Sequence, residues 1–183
     1  TTRLVSSEMC IRDMYCVSIA LRNREEILLG VVYECVREEL FWANKNSRAY
    51  LNGKEICVSD QSVLDQSFIM PELPYKAERY SPFILPLMRD LYGHVSGIRM
   101  LGSAAAELCY VAAGRFEIFI EAFLGPWDIA AGYIILKQAG GRMTDFSGNS
   151  NGPDAKEVLA SNGKVHEELL KVLQRHKKLL KHE

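Results

Sequence analysis

From residue 15 to residue 58 the chain is a series of short apolar runs separated by polar turns. Residues 15–21 (YCVSIAL) and 27–33 (ILLGVVY) are rich in β-branched and aromatic side chains, and the polar stretch 22–26 between them predicts a turn. Residues 40–43 (LFWA) and 49–51 (AYL) follow, the latter running into Asn52-Gly53, a dipeptide suited to a tight hairpin turn. Residues 54–59 (KEICVS) then alternate polar with apolar positions. The prediction for this region is an antiparallel meander.

After Ser59 the period changes. Residues 67–70 (SFIM) read as a short strand, and residues 78–91 carry apolar positions at helical spacing, with Pro82 and Pro86 restricting where that helix begins. Residues 98–101 form a strand that runs into Gly102-Ser103, which opens a helix over 104–113 closed by Gly114. Residues 115–121 (RFEIFIE) alternate as a half-buried strand, and a helix over 127–138 ends at Ala139-Gly140-Gly141. Short strands at 142–145 and 157–160 precede an amphipathic terminal helix over 164–181. Strands alternating with helices imply an α/β layer. The expectation is one domain over residues 15–183, with a sheet portion at 15–60 and an α/β portion at 61–183.

The 183 residues are 48% hydrophobic and 25% charged, enough for one globular domain with a sizeable core. A net charge of −1 and no basic face argue against a nucleic-acid partner. The one basic cluster, Arg175, Lys177, Lys178 and Lys181, falls at the end of the terminal helix, where cations complement the helix dipole. No apolar run approaches the roughly 20 residues of a membrane span, and no secretory signal is visible. No membrane partner and a cytoplasmic setting are expected. Five scattered cysteines (Cys10, Cys16, Cys35, Cys57 and Cys109) form no CxxC pair, so neither a disulfide framework nor a zinc site is suggested. Reduced thiols acting as small hydrophobes fit this pattern.

Two segments can carry chemistry. In the first, Glu121-Ala-Phe-Leu-Gly-Pro-Trp-Asp128 leads into Ile-Ala-Ala-Gly132, which places Asp128 just after Pro126 at the start of a helix. An acid there satisfies free N–H groups and favours the dipole, whatever else it does. Ala130, Ala131 and Gly132 let a second element approach that helix closely. In the second segment, Arg99-Met-Leu-Gly102-Ser103-Ala104 passes from a strand into a helix whose first N–H groups can receive an anion or a hydroxyl. Ser103 can equally be a plain N-cap. No GxGxxG and no GxxxxGK[ST] sequence is present, so neither a dinucleotide fold nor a P-loop is supported.

Taken together, the RxxGSAA…LCYVAAGRF…E block, PWDIAAG and QAGGRMTDFSG resemble the inositol monophosphatase family from Arg99 to Gly148. The resemblance extends back through SIAL, LLGVVY, ELFWA and AYLNGKEI and forward to VLASN, covering roughly residues 15–175. It implies a layered αβαβα sugar-phosphatase fold, a homodimer, Mg²⁺ dependence with Li⁺ inhibition, and a small sugar or inositol phosphate as substrate. It also implies roles by position. Asp128 corresponds to a catalytic metal ligand, Gly102, Ser103 and Ala104 to the turn that contacts the sugar ring, and Glu121 to a residue that binds ring hydroxyls.

Most of the metal ligands that the resemblance implies belong to an upstream helix glutamate and an Asp-Pro-Ile/Leu-Asp-Gly-Thr motif, and neither occurs in these 183 residues. Residues 1–14 match no family block and are read as a non-homologous stretch introduced by sequence assembly. Glu8 and Asp13 do not match the motif's spacing, and the pairs Glu25–Glu26 and Glu38–Glu39 read as surface turns. The expectation is a fragment without turnover, with the first helices and metal-binding strands absent and an apolar face left open. The rival readings are a relative that hydrolyses 3′-phosphoadenosine nucleotides or fructose 1,6-bisphosphate, and a non-catalytic dimerisation or regulatory remnant.

Overall fold

The structure, a computed structural model, describes residues 3–8 as backbone and residues 14–73, 76–150 and 152–180 in full. Readings that rest on residues 1, 2 and 9–13, on Lys181 or on the Glu8 side chain lie outside these residues.

The predicted meander is β2 (Cys16–Arg22), β3 (Ile27–Glu34), β4 (Glu39–Asn44), β5 (Ala49–Leu51) and β6 (Lys54–Ile56). A further strand that the sequence reading did not include, β1 (Arg3–Glu8), pairs antiparallel with β2 to make a six-stranded antiparallel sheet in sequence order. Strand alternation divides its side chains between two faces. On one face Cys16, Ala20, Val32, Phe41, Ala43 and Ala49 are buried. On the other, Val17 stands opposite Tyr33 and Tyr33 opposite Leu40, each more than a third exposed. One row further, Trp42 stacks on Tyr50 with ring centroids 4.7 Å apart. This second face is the open apolar surface that the sequence predicts.

The second sheet runs β10 (Arg142–Thr144), β11 (Glu157–Ser161), β9 (Ile118–Ala122), β7 (Phe68–Pro71) and β8 (Gly97–Ile98), with β7 parallel to both β8 and β9. Between the sheets lie α2 (Ala104–Ala112) and α3 (Pro126–Gln138), and every residue of α2 is buried. A helix that is apolar almost all round belongs in such an inner layer. On the far side, α1 (Ala77–Leu91) and α4 (His166–Lys177) cover the second sheet with Phe83, Ile84, Leu87, Leu169 and Leu173. Sheet, helix pair, sheet and helix pair make four of the five layers that the resemblance implies.

The close approach expected of Ala130–Gly132 is present on two sides of α3. A Cβ on Gly132 would sit 2.6 Å from the Leu108 Cβ of α2, and one on Gly30 of β3 would sit 2.6 Å from the Ala131 carbonyl oxygen. Both are shorter than any ordinary contact, so glycine sets the spacing of sheet, α3 and α2.

Three expectations are corrected. Helix α1 starts at Ala77 and runs through both Pro82 and Pro86. The prolines lie off its buried face, where the carbonyls they leave unbonded can reach water. Strand β9 begins at Ile118 and is buried on both sides, because it is the middle strand with helix layers above and below. Glu39 is no surface acid: it opens β4 and takes both arms of the Arg115 guanidinium, at 2.7 and 2.5 Å.

Candidate active site

The two turns singled out in the sequence are both held by β2. Cys16 Sγ lies 3.4 Å from Ser103 Oγ at the head of α2. Two residues along, Ser18 Oγ donates to the Trp127 carbonyl at the head of α3, at 3.4 Å. Residues i and i+2 of a strand share a face, so this one strand sets the two helix N-termini side by side. The sequence reading missed Cys16 and Ser18, whose only signal is that shared inward face.

Gly102 has φ +76°, a conformation that a Cβ disfavours, yet a Cβ there would meet nothing within 4 Å. The glycine therefore serves the backbone direction and leaves open space over the turn. Ser103 is fully buried with extended backbone at the N-cap position, but its hydroxyl makes no cap bond and faces Cys16 instead. The capping role that the sequence allowed for Ser103 is not used. Ala104 starts α2 and is buried.

Asp128 does cap its helix. Its Oδ2 accepts the Gly125 N–H at 2.9 Å, and its own N–H donates to the Gly125 carbonyl at 3.1 Å. Burial pushes this carboxyl above the ordinary aspartate value, and the Gly125 N–H pulls against it.

Glu121 on β9 is pushed up to about 8, first by burial and then by the charges of Glu72 and Asp128. Glu107, one turn into α2, is raised well above the usual carboxylate range, again by burial first and then by Glu72 and Glu121. Glu72, just past β7, accepts the Leu101 N–H on Oε1 at 2.8 Å and so ties down the segment between β8 and Gly102. No lysine or arginine lowers Glu107, Glu121 or Asp128. Glu72 and Glu121 thus bear on Glu107, and Glu72 and Asp128 bear on Glu121. Glu72 and Glu107 went unflagged in the sequence, because a glutamate in a strand end or an alanine-rich helix gives no sign of what it faces.

Along the 123–127 loop a cleft of about 520 Å³ opens, lined by Phe123, Gly125 and Trp127, by the cations Lys76, Arg79 and Lys156 and by the acid Glu157. Lys76 lies over the Phe123 ring, 5.3 Å from its centroid, so part of this charge is already engaged. Among the described residues, no three His, Cys, Asp or Glu side chains converge as a metal cage. Mg²⁺ asks for near-octahedral oxygen coordination. The residues present fit one carboxylate ligand of such an ion and do not supply its full shell.

Residues 5–178 match the inositol monophosphatase family. The Nus factor SuhB of Escherichia coli is 36% identical over 156 residues, covering 85% of this chain and 58% of that protein. An inositol-1-monophosphatase of Mesorhizobium japonicum is 35% identical over 162 residues, covering 88% and 61%. A fructose-1,6-bisphosphatase/inositol-1-monophosphatase of Thermotoga maritima is 37% identical over 159 residues, covering 87% and 60%. Among solved structures, an IMPase from Thermotoga maritima superposes with a TM-score of 0.83 at 35% identity, over 91% of this chain and 63% of that one. The SuhB extragenic suppressor protein of Bartonella henselae gives the same score at 35% identity, over 89% and 62%. The chain spans about three fifths of the length of these relatives. It belongs to the inositol monophosphatase family.

Proposed function

We propose that this chain carries the substrate-binding side of a Mg²⁺-dependent phosphatase for a small phosphorylated polyol, with inositol monophosphate as the leading substrate. One observation supports the reading: β2 sets the open Gly102–Ser103 turn beside the helix start that carries Asp128, and Asp128 bears electrostatically on Glu121. A divalent cation suits the Asp128 carboxylate, and a ring hydroxyl suits the Glu121 carboxyl.

In this reading Gly102, Ser103 and Ala104 line the ring, and Glu121 hydrogen-bonds its hydroxyls. A Glu121 carboxyl titrating near 8 is protonated at neutral pH, so it can donate as well as accept when a diol meets it. Asp128 is the catalytic metal ligand, with its carboxylate already oriented by the Gly125 N–H. Mg²⁺, when bound, supplies Lewis-acid stabilisation of the phosphate oxygens. Because the described residues offer one such ligand and the 183 residues hold no Asp-Gly-Thr motif, these residues bind without turning over. A homodimer, Li⁺ inhibition and a cytoplasmic setting belong to the same reading.

A second reading has one observation in its favour. The recess with Lys76, Arg79 and Lys156 can take a second anionic group, as in a sugar or nucleoside bisphosphate. Calorimetric titration of inositol 1-phosphate, fructose 1,6-bisphosphate and 3′-phosphoadenosine 5′-phosphate in Mg²⁺ separates the two. Tightest binding of the monophosphate supports the first, and a bisphosphate preference removed by Lys156→Ala supports the second. Failure of all three ligands to bind leaves the remnant reading, a dimerisation or regulatory surface. Phosphate release that disappears in Asp128→Asn would show a complete metal site and overturn the claim of binding without turnover.

A further inference from the structure

The least satisfied polar group among the described residues is Glu107. Its side chain is fully buried in α2, and neither carboxyl oxygen has a hydrogen-bond partner. A buried ionised carboxylate left in that state costs several kcal/mol, so the chain has a reason to avoid it. The group facing it is another acid, Glu72, followed by Glu121. Two carboxylates offer each other only acceptors. One proton between them turns the clash into a short donor–acceptor pair.

Glu72 is already committed on its other side. Its Oε1 holds the Leu101 N–H at 2.8 Å, immediately before the Gly102 turn. The Glu107 N–H in turn donates to the Ser103 carbonyl at 2.9 Å. That second bond is the first backbone bond of α2, so a side chain reaches the turn through Glu72 and Leu101, and Glu107 acts on it through Glu72. The Tyr80 hydroxyl, buried and without a partner, senses Glu121 and Glu72 as well. The Leu101 N–H, spent on Glu72, is the one contact acting on Glu107 in the other direction.

We propose that Glu107 is a neutral carboxylic acid that donates to Glu72, and that this proton-sharing pair is the positioning device for the Leu101–Gly102–Ser103 turn. A functional consequence for substrate rests on the reading above, and the structural claim does not. The pair faces Glu121 from β9 and Tyr80 from α1, so its proton is lost only when pH rises far enough to charge a buried cluster of acids. Above that pH the turn loosens.

The test compares Glu107→Gln with Glu107→Leu by amide exchange at Leu101 and by infrared difference spectra. Gln keeps a donor toward Glu72 at every pH. The expected result is wild-type protection of Leu101 in Glu107→Gln, with no loss at high pH. Glu107→Leu is expected to lose about tenfold or more in protection, as does the wild type once alkaline. The wild-type spectrum at pH 7, minus that of Glu107→Gln, shows the carbonyl band of a protonated carboxyl. That spectrum keeps the claim testable should the leucine variant fail to fold. Gln behaving like Leu, or a difference spectrum showing a carboxylate, overturns the proposal. Loss of inositol 1-phosphate binding with Leu101 behaving as expected counts against the substrate reading alone.

Discussion

Glu121→Gln gives the sharpest test of the electrostatics of the site. An unfolded glutamate titrates near 4.5, whereas folded Glu121 titrates near 8, because burial and the charges of Glu72 and Asp128 oppose its ionisation. Between those values the unfolded chain holds fewer protons than the folded one, so stability falls as pH rises. The contribution of Glu121 is intact below pH 4.5, declines between 4.5 and 8, and is flat above. Each pH unit of that window costs about 1.4 kcal/mol, which reaches roughly 3 kcal/mol by pH 7. Glutamine keeps the shape of the side chain and cannot ionise. Urea unfolding from pH 4.5 to 9, with a chelator present, should give a wild-type curve that falls more steeply than that of the variant by one proton. Glu121→Gln should be the more stable protein at neutral pH. Parallel curves, or a wild type that gains stability through this window, would refute the reasoning.

Gly132→Ala pushes a methyl to within 2.6 Å of the Leu108 Cβ and should cost about 1–3 kcal/mol in urea unfolding, with the m-value unchanged. His166 is fully buried between Thr144 Oγ1 at 3.0 Å and Ser161 Oγ at 2.8 Å, and burial, followed by Arg142, depresses its pKa to about 4. The stability it provides is present above pH 6.5 and drains away as pH falls toward 4; His166→Gln should flatten that acid limb, and an unchanged limb would contradict the assignment. The open row of Val17, Tyr33 and Leu40 should drive self-association in sedimentation velocity, and Leu40→Lys should reduce it. A monomer with a cooperative, high-temperature melt would contradict that expectation.

How much of this was legible in the sequence depends on which force decided each element. The meander was legible because its strands alternate and its turns use Asn52-Gly53, so local chemistry and tertiary structure agree. Helix α1 was blurred by Pro82 and Pro86, which local rules treat as stops, while packing of Tyr80, Phe83 and Leu87 keeps the helix running. The strand RFEIFIE looks half-buried because Glu117 and Glu121 alternate with apolar residues. In the fold Glu117 instead turns inward to bond Ser59 Oγ at 2.7 Å and the Phe68 N–H at 2.6 Å. Asp128, Glu121 and the Gly102 turn were singled out through the family resemblance of the motifs that hold them. Glu72, Glu107, Cys16 and Ser18 were not, since their parts depend on contacts between segments far apart in the chain, which no local pattern encodes.

The central claim is that Asp128, Glu121 and the Gly102–Ser103 turn form one cation-linked polyol phosphate site. Its most direct test is calorimetric titration of inositol 1-phosphate into the chain and into Asp128→Asn, each with and without Mg²⁺. The account predicts binding that needs Mg²⁺ and weakens at least about tenfold in Asp128→Asn, a loss of about 1.4 kcal/mol. Binding indifferent to both the ion and the substitution would contradict it.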